Sequence, residues 1–304
     1  MNEQERPHAV IVGVDGSPAA RAALDWAADA ADRRGVQLRI VHGLGTPMVM
    51  AAYAGSERYA ATEELREYAY TLLTESAEHV HRTRPDLHVA TVLAPEAAPA
   101  VLLNEARHGD IIVVGSRGLG GVRAIVLGSV SARTSSDAPC PVVVVPEVER
   151  PGKREGRIVV GVDGSNSSRR ALRFGLQEAL VDGSSVMVVN SWEIPLPQNA
   201  ESRTGDEQTF HEDVFDRQSE EIVAGVLAEV VDDETEQLDI SAVRMQSHPV
   251  EALLKAGEDA DLLVVGSRGR GGVRGLVMGS VSQGVLQHAR MPVAVLPPRS
   301  EETE

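Results

Sequence analysis

The chain has 304 residues and lacks several features that mark common classes of protein. Its single cysteine, Cys140, excludes a framework of intrachain disulfides. Aromatic residues make up 3% of the chain, too few for a row of base-stacking platforms along a nucleic-acid strand. The sequence has no run of about 18 apolar residues, so we predict no membrane-spanning helix, and residues 1–6 are too polar for a secretion signal. We therefore expect a cytoplasmic protein.

The net charge and the absence of several motifs exclude further classes of protein. The formal net charge is −16, so we expect neither nucleic acid nor acidic membrane surfaces as partners. The sequence has no Walker-type Gly-x4-Gly-Lys-Ser/Thr loop, and no order of Ser, His, Asp or Cys that indicates a nucleophile. His79 and His81 are two residues apart, which puts them on different faces of a helix. We predict neither a metal site nor a dedicated catalytic residue.

What the chain does contain is an internal repeat. Residues 12–17, Val-Gly-Val-Asp-Gly-Ser, recur at 160–165, an offset of 148 residues. Residues 113–131 return at 264–282 with most positions identical, an offset of 151 residues. A period of roughly 150 residues is the length of a domain rather than of a solenoid repeat. We predict two colinear domains, 1–148 and 156–304, joined by a charged surface linker at 146–157.

Short runs rich in Val and Ile alternate with helical patterns in each copy. In the first copy these predict strands at 9–14, 36–41, 87–93, 110–114 and 141–145. Helices are predicted from Ser17 and Pro18 to a stop at Gly35, at 62–80, at 97–106 and near Ser129. The alternation predicts α/β domains, each doubly wound around a parallel sheet. In such sheets ligands bind at the carboxyl ends of the strands, so residues after strands one and four are expected to share a crevice.

The residues that follow the fourth strand of each copy have the composition of a phosphate cradle. The pattern Gly-x2-Gly-x9-Gly-Ser is formed by Gly115, Gly118, Gly128 and Ser129, and again by Gly266, Gly269, Gly279 and Ser280. Glycine accepts positive φ and lets the backbone approach an anion, and the following helix start offers unpaired N–H groups. We expect the hydroxyls of Ser129 and Ser131 to donate as well. Nearby positive charge comes from Arg117, Arg123, Arg268 and Arg274.

This pattern resembles the universal stress protein family, in its ATP-binding branch, and the resemblance covers nearly the whole chain. Two tandem domains are common in actinobacterial members of that family. The resemblance implies a five-stranded parallel sheet in the order 3-2-1-4-5 in each domain, with pairing through strand five, in an intrachain pseudo-dimer or a homodimer. It further implies a regulatory, stress-response protein with two ATP pockets, with the presence of Mg²⁺ left open.

The resemblance also implies a role for each part of the pocket. The triphosphate would lie on the glycine loop and the helix start, the ribose on the aspartate after strand one, and the adenine on the backbone at the end of strand two. In the first copy the implied residues are Gly13, Asp15, Val41, Gly43, Gly115, Ser116, Arg117, Gly118, Gly128, Ser129, Val130 and Ser131. In the second copy they are Gly161, Asp163, Val189, Ser191, Gly266, Ser267, Arg268, Gly269, Gly279, Ser280, Val281 and Ser282.

Alternatives stay open at this point. Asp15 and Asp163 also suit a role as helix caps, and a glycine-rich loop also suits a plain turn from strand to helix. The chain as a whole also suits a slow ATPase or nucleotide hydrolase of the same superfold, although the Ser-Gly-Gly-x-Asp-Ser loop of related pyrophosphatases is absent after strand one. An interaction scaffold with empty pockets is the third alternative. Residues 46–60 and 193–210 are expected to be loops, and they carry no readable motif.

The two copies differ in the helix behind the glycine loop. Thr134 and Ser135 in the first copy stand where the second copy has Val285 and Leu286. The family resemblance implies apolar residues at both positions. Because the loss of buried aliphatic side chains costs stability, we predict that this helix packs less tightly in the first copy and that its site binds more weakly.

Overall fold

A computed structural model of the chain describes residues 7–45, 48–51, 55–58, 62–118, 127–147, 155–193, 205–269 and 278–298. The chain divides into two compact units, Met1–Glu149 and Arg150–Glu304, called unit 1 and unit 2 below. Each unit is an α/β domain with a parallel sheet, which confirms the predicted fold class at that level. No helix in the described ranges is long and apolar enough to cross a membrane.

Unit 1 contains seven strands and four helices among its described residues. Along the chain they are β1 (Ala9–Gly13), α1 (Pro18–Arg34), β2 (Gln37–Gly43), β3 (Met48–Ala51), β4 (Gly55–Arg58), α2 (Glu63–Thr83), β5 (Val89–Ala94), α3 (Ala98–Glu105), β6 (Ile111–Gly115), α4 (Ser129–Asp137) and β7 (Val142–Val145). Five of the strands pair in parallel in the order β5-β2-β1-β6-β7. β3 and β4 form a separate antiparallel hairpin, within a segment that was expected to be a loop.

Unit 2 repeats this plan without a described hairpin. Its elements are β8 (Arg157–Gly161), α5 (Asn166–Asp182), β9 (Ser185–Trp192), α6 (Gly205–Val230), β10 (Ile240–Gln246), α7 (Pro249–Ala256), β11 (Leu262–Gly266), α8 (Ser280–His288) and β12 (Val293–Leu296). The strands pair in parallel in the order β10-β9-β8-β11-β12. α6 begins at Gly205, so the expectation of a loop throughout 193–210 is wrong from that residue onward.

The start and stop signals of the first helix act as the sequence predicts. The hydroxyl of Ser17 accepts a hydrogen bond from the Ala20 amide at 3.1 Å, and Pro18 occupies the first helical position. The helix ends at Gly35, whose φ of 61° lies in the left-handed region that glycine adopts without strain. The apolar face that α1 buries is mostly alanine, and these small side chains let the helix lie close to the sheet.

An aspartate ties the starts of two strands together in each unit. Asp110, just before β6, accepts hydrogen bonds from the amides of Ala9 at 2.8 Å and Arg107 at 2.9 Å. Asp261, just before β11, accepts from the amide of Gly156 at 2.7 Å, before β8. These carboxylates satisfy amides at the amino-terminal edge of the sheet, and they leave the carboxyl-terminal edge to the site described next.

Candidate functional site

The acid after the first strand and the second glycine of the loop lie against each other in both units. β1 pairs directly with β6, and β8 with β11, so the loops that follow them are neighbours. A β-carbon added to Gly269 would lie 2.6 Å from Oδ2 of Asp163, and one added to Gly118 would collide with Oδ2 of Asp15. The structure therefore brings the two sequence motifs together at the carboxyl edge of each sheet.

The two aspartates hold the turn before the helix but are not its cap. The N-cap residues are Ser17 and Ser165. Oδ1 of Asp15 accepts from the Ser17 amide at 2.9 Å, and Oδ1 of Asp163 accepts from the Ser165 amide at 3.0 Å. This contact fixes the carboxylate so that its other oxygen, Oδ2, faces the glycine loop. The alternative in which these residues cap the helix is wrong in that form.

A cavity of about 630 Å³ lies at this edge of unit 2. Of the residues assigned to the second site from the sequence, those that line it are Gly161, Asp163, Val189, Ser191, Gly266, Arg268, Gly269, Gly279, Ser280, Val281 and Ser282. Ser267 is not among them, because its side chain is fully buried in the protein. The acid, the end of the second strand, the glycine loop and the helix start thus enclose one space.

The helix starts offer their amides to this edge. The N-caps of α4 and α8 are Gly128 and Gly279, and neither supplies a side-chain hydrogen bond to the first turn. The Arg268 side chain lines the cavity, and its Nε has no hydrogen-bond partner in the described part of the chain although it is shielded from solvent. Uncapped amides, the positive end of the helix dipole and a guanidinium donor together favour an anion.

The hydroxyls of Ser131 and Ser282 are hydrogen-bonded to carbonyls of the loop. Ser131 donates to the carbonyl of Gly115 at 2.7 Å, and Ser282 donates to the carbonyl of Ser267 at 3.0 Å. The loop ends are joined by backbone as well, since the Gly279 amide donates to the Ser267 carbonyl at 2.7 Å. In this arrangement the Ser131 hydroxyl is bonded within the protein, and its donation to a ligand stays a prediction. Ser129 and Ser280 are exposed on the first turn of their helices.

The glycines of the loop are needed for close approach and not for positive φ. None of Gly115, Gly118, Gly266 and Gly269 has a positive φ, which corrects the conformational reason given for them. A β-carbon on Gly115 would lie 2.7 Å from the backbone of Ala19 in α1, and one on Gly266 would lie 2.6 Å from Oγ of Ser167 in α5. The first glycine of the pattern thus leaves room for the neighbouring helix, and the second leaves room for the aspartate side chain.

Polar side chains at the end of the second strand secure the first strand. In unit 1, Nδ1 of His42 bonds the Val14 carbonyl at 2.7 Å. In unit 2, Nδ2 of Asn190 donates to the Val162 carbonyl at 2.7 Å, and its Oδ1 accepts from the hydroxyl of Ser219 at 2.6 Å. The signal that could have identified these residues is a polar side chain inside an apolar strand, which is costly unless it is hydrogen-bonded.

Several lining residues of unit 2 carried no signal in the sequence. They include Trp192 at the end of β9, and the α6 residues Phe215, Gln218, Ser219 and Ile222. α6 follows a segment without a motif, so its contribution to the cavity was not predictable from spacing. Arg123 and Arg274 lie outside the described residues. Within the described ranges, no group of three or more His, Cys, Asp or Glu side chains is placed to hold a metal ion.

Comparisons with known proteins agree with this architecture. The sequence model of the Universal stress protein family matches residues 7–146 and 156–297. A universal stress protein of Mycobacterium tuberculosis is 30% identical over 310 residues, which cover 97% of this chain and 96% of the relative. Another from the same species is 29% identical over 299 residues, covering 94% and 95%. A crystal structure of a universal stress protein from Archaeoglobus fulgidus shows the same fold, with a TM-score of 0.63 over 96% of this chain and 97% of its own, at 19% identity.

Proposed function

Because the chain belongs to the universal stress protein family as two tandem family domains, we propose that it is an ATP-binding regulatory protein with one nucleotide pocket in each unit. The observation that carries the proposal is the cavity of unit 2, which the acid, the end of β9, the glycine loop and the start of α8 enclose together. Right-handed crossovers give this strand order a doubly wound arrangement, with the pocket where the strand order reverses.

The residues present fit ATP. A cavity of about 630 Å³ is within the usual range of 300–1,000 Å³ for pockets that hold small molecules. The amides of the first turn of α8 and the Arg268 guanidinium would hold the phosphates. Asp163 would hold the ribose through Oδ2, and the end of β9 would hold the base. In unit 1 the corresponding residues are the first turn of α4, Arg117, Asp15 and the end of β2.

Binding alone gives such a protein a means of regulation. A ligand present at 100 times its dissociation constant stabilises the bound state by about 2.7 kcal/mol. That free energy is enough to shift a conformational or assembly equilibrium by about a hundredfold. We propose that ATP occupancy reports the energy state of the cell in this way. A cytoplasmic location, and pairing through the fifth strand in a pseudo-dimer or homodimer, remain predictions.

Titration calorimetry with full-length protein tests the two sites separately. The Gly118→Asp variant adds a carboxylate beside Asp15, and Gly269→Asp adds one beside Asp163, so each should remove ATP from its own unit. Gly225→Asp is the matched control, because Gly225 lies in α6 where an added β-carbon meets nothing within 4 Å. We expect two ATP per chain for the wild type and the control, one for each single variant and none for the double variant. No binding by the wild type at millimolar ATP would overturn the proposal.

The fate of bound ATP separates a binding protein from a slow ATPase. Protein loaded with labelled ATP, with Mg²⁺ and with EDTA, is incubated and the released nucleotide is identified. We expect intact ATP in both cases. Stoichiometric conversion to ADP that Gly118→Asp and Gly269→Asp abolish would show the hydrolase instead, and failure to retain any nucleotide would favour the scaffold.

A further inference from the structure

Two aromatic side chains stack on each other at one end of the unit 2 cavity. Trp192 ends β9 and Phe215 projects from α6, and both line the cavity. Their ring centroids are 5.9 Å apart and their planes are inclined by 16°. In a chain that has only two tryptophans and three phenylalanines, their meeting beside the cavity needs an explanation.

The stack leaves aromatic surface uncovered. Stacked rings touch at a spacing of about 3.5 Å. Nearly parallel rings with centroids 5.9 Å apart are therefore displaced sideways by roughly 4–5 Å, about the width of a ring. Each ring therefore covers little of the face of the other. Since both residues line the cavity, a flat ligand has an aromatic surface to lie on.

The aromatic pair is well separated from the anion-binding end. The amides of α8 and Arg268 follow β11, whereas Trp192 ends β9, and β8 lies between these two strands. Neighbouring strands are about 4.8 Å apart, so the two ends of the cavity are separated by about 10 Å. A ligand with an anionic group at one end and a flat ring system at the other matches this layout, and a nucleotide has this form.

Unit 1 has aliphatic residues at the matching positions. The Val41 carbonyl accepts a hydrogen bond from the Val14 amide, and the Val189 carbonyl accepts the same bond from the Val162 amide. Val41 and Val189 are therefore equivalent, and three residues further on Leu44 in unit 1 corresponds to Trp192 in unit 2. The helix that follows this strand is α2 in unit 1 and α6 in unit 2, and their buried residues have the same spacing. When these buried residues are matched, Leu65 is the counterpart of Phe215. Leu65 is 38% exposed. The aromatic pair is thus a property of unit 2 and not of the repeat.

We propose that Trp192 and Phe215 form a base-stacking wall that makes the unit 2 pocket prefer purine over pyrimidine nucleotides, while Leu44 and Leu65 leave unit 1 less selective. The inference rests on the proposed function, since it assigns the base end of the same pocket. Every base has a π face that stacks on aromatic side chains, and the two fused rings of a purine overlap them more than the single ring of a pyrimidine. An aliphatic wall contacts both bases more evenly.

The test uses full-length protein in which only one site can bind. Gly118→Asp blocks the pocket of unit 1 (site 1) and leaves the pocket of unit 2 (site 2). Trp26→Phe makes Trp192 the only tryptophan in that background. ATP, GTP, CTP and UTP are titrated by calorimetry and by tryptophan fluorescence. We expect the two purine nucleotides to bind about tenfold more tightly than the pyrimidines and to quench Trp192. The double variant Trp192→Leu/Phe215→Leu, which copies the wall of unit 1, should reduce that ratio to about twofold or less.

A variant that gains a purine preference distinguishes a change of selectivity from a loss of folding. In the Gly269→Asp background, Leu44→Trp/Leu65→Phe should give site 1 a purine preference that it does not otherwise have. An equal affinity of site 2 for all four nucleotides, or an unchanged ratio after the leucine substitutions, would overturn the inference and leave ATP binding intact. A uniform loss of all four nucleotides with a lowered Tm would show that the pair only secures α6 to β9. Failure of the parent to bind any nucleotide would overturn the proposed function itself.

Discussion

Oδ2 of Asp163 lies so close to Gly269 that a β-carbon on the glycine would be 2.6 Å from it. Real β-carbons do not approach an oxygen so closely, so any larger residue at 269 must displace the carboxylate or the loop. Gly118 stands in the same relation to Asp15. The glycine pattern of the sequence is therefore coupled to an acid about a hundred residues away, and this coupling can be measured.

We predict that Gly269→Ala weakens ATP binding at site 2 by at least about tenfold, because it displaces the Asp163 carboxylate that we propose holds the ribose. Asp163→Ala should weaken binding by a comparable factor. Since both changes act through one carboxylate, their effects should be far from additive in a double-mutant cycle. Calorimetry in the Gly118→Asp background measures the three affinities. Fully additive losses would show that Gly269 acts on the ligand directly.

Gly225→Ala is the control for this series. It lies inside α6, toward the end of the helix at Val230, and an added β-carbon meets nothing within 4 Å. Alanine should raise the free energy of unfolding by about 0.5–1 kcal/mol through its helix propensity and leave the ATP affinity unchanged.

The helix behind the glycine loop of unit 1 gives a second prediction. Thr134 and Ser135 are as deeply buried as Val285 and Leu286, at 0% and 1% exposure, so poor burial does not distinguish the two helices. The hydroxyls of Thr134 and Ser135 have no hydrogen-bond partner within the described residues. A buried polar group without a partner costs about 1–3 kcal/mol. The cost in this helix is therefore one of unsatisfied hydroxyls.

Thr134→Val keeps the shape of the side chain and removes its hydroxyl, so it should stabilise unit 1 by about 1–2 kcal/mol. The reciprocal change, Val285→Thr, should destabilise unit 2 by a similar amount. Hydrogen exchange of the amides of β7 and β12 reports on the two units within the same molecule. Unchanged protection of β7 in Thr134→Val would refute this account of the helix.

Sequence reasoning succeeded where a local rule decides the structure. Ser17, Pro18 and Gly35 bound α1 because caps and backbone conformation are properties of a few neighbouring residues. It failed where the contact is distant. That Gly115 makes room for Ala19, and that Phe215 meets Trp192, depends on elements far apart in the sequence, and neither pairing has a spacing to reveal it.

The first turns of α6 show a different kind of failure. Residues 205–209 read Gly-Asp-Glu-Gln-Thr and have no apolar periodicity, so the pattern there favours a loop. Yet the same helix carries Phe215 and Ser219 into the cavity. Part of the candidate site of unit 2 could not be predicted from the sequence, because the first residues of the helix that supplies it have no apolar periodicity.

A third prediction concerns the buried aspartate of unit 1. Asp110→Ala would leave the buried amide of Ala9 and the more exposed amide of Arg107 without their acceptor, and we expect a loss of about 2–4 kcal/mol in the free energy of unfolding. Asp110→Asn keeps one carboxamide oxygen and should lose about half as much. Urea unfolding followed by circular dichroism measures both. Equal losses in the two variants would show that the negative charge matters, and not the number of acceptors.

The thiol of Cys140 supplies a pH-dependent prediction. Burial, reinforced by the nearby Asp110 carboxylate, raises the pKa of this thiol from 9.0 to about 12. Since the folded protein holds the proton more tightly than the unfolded chain, the associated stability is complete below pH 9. It is lost as pH rises from 9 to 12, by at most about 1.4 kcal/mol per pH unit. The difference in unfolding free energy between wild type and Cys140→Ala should therefore shrink over that range, because other titrating groups cancel. Because the thiolate is the form that reacts, the same raised pKa predicts that Cys140 of the native protein resists iodoacetamide at pH 8, whereas Cys140 of the urea-unfolded protein reacts. Rapid alkylation of the native thiol would contradict both expectations.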